Sequence, residues 1–186
     1  MAAVFNFSKL NLRICMRSNL KYNDIMLKAP IPENEKERMA AVKRLGLTDY
    51  KPENRFDLLT KKAVEELHVP ISTLTVMDPQ KEHYKSYQGL NEKDGQRAIS
   101  FCGHALVTKY LFIIPDTTKD FRLANNPMVI GKPFIRSYIG MALFDHKTGL
   151  PVAVFCIKDT KPREFSSAEI NAFSAIATQA EEEINK

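Results

Sequence analysis

The chain has 186 residues, enough for one well-packed core and too few for two ordinary domains. Its 44% apolar and 26% charged residues are ordinary for a globular protein, and no apolar run approaches the roughly 18 residues that span a bilayer. The net charge of +5 is concentrated at the start, where Lys9, Arg13, Arg17 and Lys21 meet no acid before Asp24; without those four the chain carries 23 basic and 22 acidic residues, which argues against a nucleic-acid partner.

Residues 1–30 read as a separate basic arm. The stretch MAAVFNFSKLNLRICMRSNLKYN mixes Lys and Arg with Phe, Leu and Ile. It overlaps in composition with an organelle transit peptide and lacks the apolar run of a secretory signal. A variable N-terminal arm is the other reading. The folded domain is expected over 31–186, opened by Pro30-Ile31-Pro32.

The first helix is expected in NEKERMAAVKRLGL, with Asn34 as its cap, Gly46 as its end, and Met39, Val42 and Leu45 on one face. A second fits ENRFDLLTKKAVEELHV, with Phe56, Leu59, Ala63 and Leu67 in a stripe. ISTLTVMD and EHYKSYQGL read as a strand pair around an Asp78-Pro79-Gln80 turn, and the polar NEKDGQRAI as a loop. A short helix follows Ser100, and Leu111 to Ile114 is an apolar run that ends at Pro115. DTTKDFRLANNPMVIGKPF then reads as a long ordered loop with a helical turn. RSYIGMALFD and PVAVFCIKD are strands joined by HKTG, and the last helix starts at a Ser166/Glu169 capping box. This order implies an α+β domain with a largely antiparallel sheet.

Three cysteines, Cys15, Cys102 and Cys156, are too few and too scattered for a disulfide framework and fit a reducing, cytoplasmic setting; if residues 1–23 are a transit peptide, the setting is an organelle. In SFCGH, Ser100 as N-cap places Cys102 where the helix dipole favours a thiolate, yet a buried cysteine packed in a helix start satisfies the same letters. His104 does not share a helical face with Cys102. Cys102 and His104 supply two metal ligands without a second pair, and His68, His83 and His146 stand apart, so no metal site is expected. Cys156 faces with Val152 and Val154, away from Phe155 and Ile157, and a Cys102–Cys156 redox couple depends on the fold. Asp116, Asp120 and Arg122 either staple the long loop or face a ligand from a lid. Arg136 and Tyr138 share a strand face. No phosphate loop, nucleophile elbow or HExxH occurs.

In this order, PENEKERMAAVKRLGL, ENRFDLLTKKAVEEL, VPISTLTVMD, SFCGHAL, IIPDTTKDFRLANNPMV, IRSYIGMALFD and VAVFCIKDTKPREFSSAEI resemble a GAF domain over about residues 31–184. The closest variety is the group with an SFC-x-HA segment found in microbial sensor proteins. The resemblance implies a central antiparallel sheet of five or six strands, terminal helices on one face, and a pocket roofed by the middle helix and loop on the other. It places Phe101, Cys102, His104, Asp116, Asp120, Arg122 and Tyr138 at or near that pocket as ligand-binding candidates. Two departures stand out: Asp120-Phe121-Arg122-Leu123 replaces the family's Asp-Pro-Arg-Phe, and Ile139, Met141 and Ala142 stand where small residues and Pro are frequent.

The reading this supports is a sensory or regulatory module that takes a small molecule or a partner protein and signals through its terminal helices, with a homodimer as one form. Nothing in the sequence names a cofactor. Two alternatives are a thiol enzyme resembling free methionine sulfoxide reductase, with Cys102 and Cys156 as its thiols, and a dimerisation-only fold whose pocket is filled by side chains.

Overall fold

A computed structural model describes residues 26–49 and 51–186; the basic arm up to residue 25, with Cys15 and its four basic residues, lies outside the described residues. The elements are α1 (Glu35–Arg44), α2 (Asn54–Leu67), β1 (Ile71–Met77), β2 (Lys81–Gln88), β3 (Asp94–Gln96), α3 (Phe101–Leu106), β4 (Phe112–Ile114), α4 (Pro127–Ile130), β5 (Ser137–Phe144), β6 (Pro151–Asp159) and α5 (Ser167–Ile184). The six strands form one sheet in the order β3-β2-β1-β6-β5-β4, and every adjacent pair is antiparallel.

The sheet has a core on each face. Helices α1, α2 and α5 cover one, where Phe56, Ala63, Leu74, Val76, Phe155, Ile157, Phe173 and Ile176 interlock. The other face is covered by α3, α4 and the long loop, through Phe101, Cys102, Leu106, Phe112, Leu123, Ile135 and Tyr138. Covering both faces explains why all seven residues of β1 are buried. Its threonines, which would face water in a one-sided sheet, lie against α3 instead.

Local chemistry fixes the ends. The Ser166/Glu169 capping box starts α5, and Arg163 bonds the Leu67 carbonyl and Glu169, joining α2 to α5. The Ser100 hydroxyl accepts the Gly103 N–H and caps α3. Along α1 the buried face is Arg38, Ala41 and Val42, not the Met39-Val42-Leu45 stripe, and Asn34 makes no side-chain cap. Arg38 is buried because Glu35 and the Met77 carbonyl take its guanidinium. The polar stretch read as a loop contains β3, a three-residue edge strand that carries no apolar pattern. A bulge in β2 opposite Leu74/Thr75 turns both Lys85 and Ser86 toward the helix side, where Lys85 meets Asp49 and Glu53 and Ser86 meets Asp57 and Thr60.

Candidate functional site

Beneath α3 lies a closed cluster. Cys102 Sγ is 3.4 Å from Cys156 Sγ, and both thiols are fully buried. Thr73 Oγ1 is 3.1 Å from Cys156 Sγ and 2.8 Å from Thr75 Oγ1, while the Tyr138 hydroxyl donates to Cys102 Sγ at 3.4 Å. Burial pushes the Cys102 thiol up, and the adjoining Cys156 adds to the shift. Burial also raises Cys156, but the hydrogen bond from Cys102, the Lys158 charge and Thr73 outweigh it and bring it below the ordinary thiol value. In the contact between them the Cys102 thiol donates and the Cys156 sulfur accepts.

The hollow expected under the middle helix is filled. The rings of Phe101 and Tyr138 lie 5.4 Å apart and those of Tyr138 and Phe112 5.7 Å apart, packing the space between α3 and β5. Of the seven candidates named from the sequence, Phe101, Cys102 and Tyr138 are brought together here. His104, 8% exposed, stacks on Phe112. Burial lowers its pKa, and the Arg122 charge adds to the shift. Arg122 lies over the same Phe112 ring and is held by both oxygens of Asp120. Asp116 caps a short turn through Thr118 and pairs with Lys119. The Asp120–Arg122 and Asp116 contacts thus hold the long loop. Val154 shares the α3-side core with Cys156, whereas Val152 belongs to the helix-side core, past a register shift near the start of β6.

An open space lies beside this cluster. A cavity of about 500 Å³ is bounded by β2, β3, the end of β6 and the 127–135 segment. Glu82, Tyr84 and Lys158 line its polar end, and Ile99, Met128 and Ile135 its apolar wall; none of the seven candidate residues lines it. The covering segment is tied down: the Asn126 side chain donates to the Ile99 carbonyl at 2.7 Å, and Arg136 donates to the Val129 carbonyl at 2.8 Å. Phe134, on the rim, holds a left-handed φ of 59°, a strained conformation for an aromatic residue.

The polar end is organised by Glu82. It is 1% exposed and accepts from the Tyr84 hydroxyl at 3.0 Å and from Ser100 Oγ at 2.5 Å. Ser100 therefore both caps α3 and joins it to the cavity. Lys158 is 2% exposed. Burial pulls its pKa down, but Cys156, Cys102, Tyr84 and Glu82 outweigh that and hold it above the ordinary lysine value.

Glu82, Tyr84 and Lys158 are not among the residues that the sequence singles out. A signal exists: Glu82 and Tyr84 are two apart on one strand, and Lys158 is two from Cys156 on another. At strand ends such residues read as solvent-facing.

The GAF domain family model matches residues 51–184. A cyclic di-GMP phosphodiesterase of Pseudomonas aeruginosa is 33% identical over 138 residues, 74% of this chain and 23% of that protein. The chain thus spans under a quarter of that relative's length. The GAF domain of an Acinetobacter phosphoenolpyruvate-protein phosphotransferase superposes with a TM-score of 0.59 at 15% identity, covering 83% of this chain and 94% of that one. A free methionine-R-sulfoxide reductase from Neisseria meningitidis, in complex with its substrate, gives a TM-score of 0.55 at 13% identity over 85% and 94% of the two chains. At these identities the structural likeness is one of fold.

Proposed function

The chain belongs to the GAF domain family, and from that premise we propose that it is a sensory or regulatory module of the SFC-x-HA group, acting in the cytoplasm. It takes a small molecule in the cavity between β2, β3 and the 127–135 segment and relays occupancy to a partner protein or a second copy through α1, α2 and α5. The observation that carries this reading is the cavity itself: about 500 Å³, with a buried charged end and an apolar wall, which is the composition of a ligand site. Three of the seven residues first considered as ligand contacts act in this reading from behind the wall. Ser100 bridges Glu82 to α3, and Phe101, Cys102 and Tyr138 back the polar end.

Native mass spectrometry of the protein purified from cells tests it. A retained small molecule in the wild type, absent from Met128→Trp, is the expected result, because the larger ring occupies the cavity from its apolar wall. Retention that Met128→Trp leaves unchanged, or no retention together with no shift of cavity methyl signals on exposure to a metabolite mixture, overturns it.

The 3.4 Å approach of Cys102 and Cys156 favours a second reading, a dithiol redox site. Two thiols and one hydrogen peroxide would give a disulfide and two waters, the thiols losing two electrons and two protons. Peroxide titration followed by thiol mass spectrometry tests it: loss of two hydrogens across this pair supports the reading, and two unmodified thiols in folded protein refute it.

A further inference from the structure

The cavity reading leaves the ligand's chemistry open, and the polar end narrows it. Lys158 lines the cavity and is 2% exposed, and its ammonium makes no hydrogen bond or ion pair among the described residues. The Tyr84 ring lies 5.5 Å from its Nζ. An ammonium has three donors and no acceptor, and burying them unmatched is costly. The Nζ opens onto the cavity, so its acceptors come from there, from water or from a ligand that replaces it.

Glu82 faces the same end. Each of its oxygens takes one hydroxyl donor, from Tyr84 and from Ser100, and a carboxylate offers about four lone-pair sites. Both oxygens thus keep capacity for a further donor. The backbone of β3 leaves this end open because residue 95 is glycine. A Cβ there would stand 2.9 Å from Glu82 Oε1 and 3.2 Å from the Tyr84 hydroxyl.

Charge balance then selects the ligand. At the polar end the cavity presents one ammonium, Lys158, and one carboxylate, Glu82, so a ligand of a single charge sign meets one partner and one like charge there. A ligand with both charges close together satisfies each and adds no net charge. Resting on the cavity reading, we propose that this site binds a small zwitterion of the α-amino acid class, with its carboxylate on Lys158, its ammonium toward Glu82, and its side chain against Ile99, Met128 and Ile135.

The test is calorimetric titration of the full chain with all twenty amino acids, then with three matched probes: phenylalanine, 3-phenylpropanoate, which lacks the ammonium, and phenylalaninamide, which lacks the carboxylate. Saturable binding of phenylalanine or another amino acid is expected, with the two single-charge analogues of the amino acid that binds weaker on the order of 10- to 100-fold, the worth of a charge-assisted hydrogen bond. Lys158→Met should lose affinity by a similar factor while keeping the wild-type near-UV circular dichroism, which separates loss of the ammonium from loss of the fold. Glu82→Gln should narrow the preference for the zwitterion over its deaminated analogue, a selectivity change that general destabilisation would not produce. Equal binding of zwitterion and single-charge probes, or unchanged affinity in Lys158→Met, overturns the proposal. If those probes still compete with the molecule retained in the cavity, the cavity reading survives that failure. No amino acid binding at millimolar concentration also overturns the zwitterion, and the Met128→Trp retention experiment judges the cavity separately.

Discussion

Gly140 sits opposite Cys156 in the β5–β6 register, and the Tyr138 ring crosses over its backbone. A Cβ at position 140 would lie 2.7 Å from Tyr138 Cζ and 2.8 Å from Cε1. Carbon atoms rest at roughly 3.5–4.0 Å, so the ring must move by about an ångström. It has little room, being fully buried and flanked by Phe101 at 5.4 Å and Phe112 at 5.7 Å. Overpacking of this kind costs about 1–3 kcal/mol, and displacing the Tyr138 hydroxyl from Cys102 adds about 1 kcal/mol. Gly140→Ala should therefore lose about 3 kcal/mol. Tyr138→Leu should lose about 2–4 kcal/mol through the void it leaves. In the Tyr138→Leu background, however, Gly140→Ala should cost under about 0.5 kcal/mol, giving a coupling energy of about 2–3 kcal/mol. Urea unfolding of the four proteins followed by circular dichroism, with unchanged m-values, measures the cycle. A Gly140→Ala penalty that is the same in both backgrounds, or within about 0.5 kcal/mol of zero in the wild type, refutes the filled-hollow argument.

Glu35 is shared by Arg38 and Arg97, which are 0% and 1% exposed. Glu35→Gln leaves two buried guanidiniums without a counter-charge and should cost about 3–5 kcal/mol in urea unfolding, and a loss below about 1 kcal/mol would show that the pair is solvated. Burial and Arg122 hold His104 below its unfolded value near 6.5, so the folded state favours the neutral ring. The stability this gives is present above that value and is lost as pH falls below it, so wild-type stability should drop between about pH 7 and pH 5, with a flatter profile in His104→Gln. Burial raises Asp145, but Arg44, Thr148 and the Lys147 N–H overcome it and hold it at about 2, below the ordinary 3.8. Its contribution is present above 3.8 and lost as pH falls through about 2, so Asp145→Asn should be less stable at neutral pH and converge with the wild type in acid unfolding.

Most of the fold was legible because its signals are local. The ISTLTVMD strand and the Ser166/Glu169 capping box each follow from residues within one element, and each stands where the sequence places it. The misses share a cause. Edge strand β3, Asp94–Gln96, gains its structure from pairing with β2 rather than from its own polar residues. The buried face of α1 is set by Arg38, which the amphipathic pattern counts as solvent-facing and which Glu35 and the Met77 carbonyl draw inward.

The position of the open space depends on side-chain volume across strands, which no single stretch records. Large residues on β4, β5 and α3 close the hollow under the middle helix: Tyr138 folds over Gly140, and Phe101 and Phe112 close on its ring. Toward β2 and β3 the volumes fall. Gly89, Gly95 and the short edge strand leave the end of β6 uncovered, and Lys158 emerges there on the face that carries Cys156. The β2 bulge completes the arrangement. Strict alternation would place Tyr84 and Ser86 together, but the extra residue sends Ser86 to α2 and leaves Tyr84 with Glu82 at the cavity. A lysine and a glutamate that each read as solvated strand ends thus become the two charges of one buried site, through a bulge and a glycine rather than through a motif.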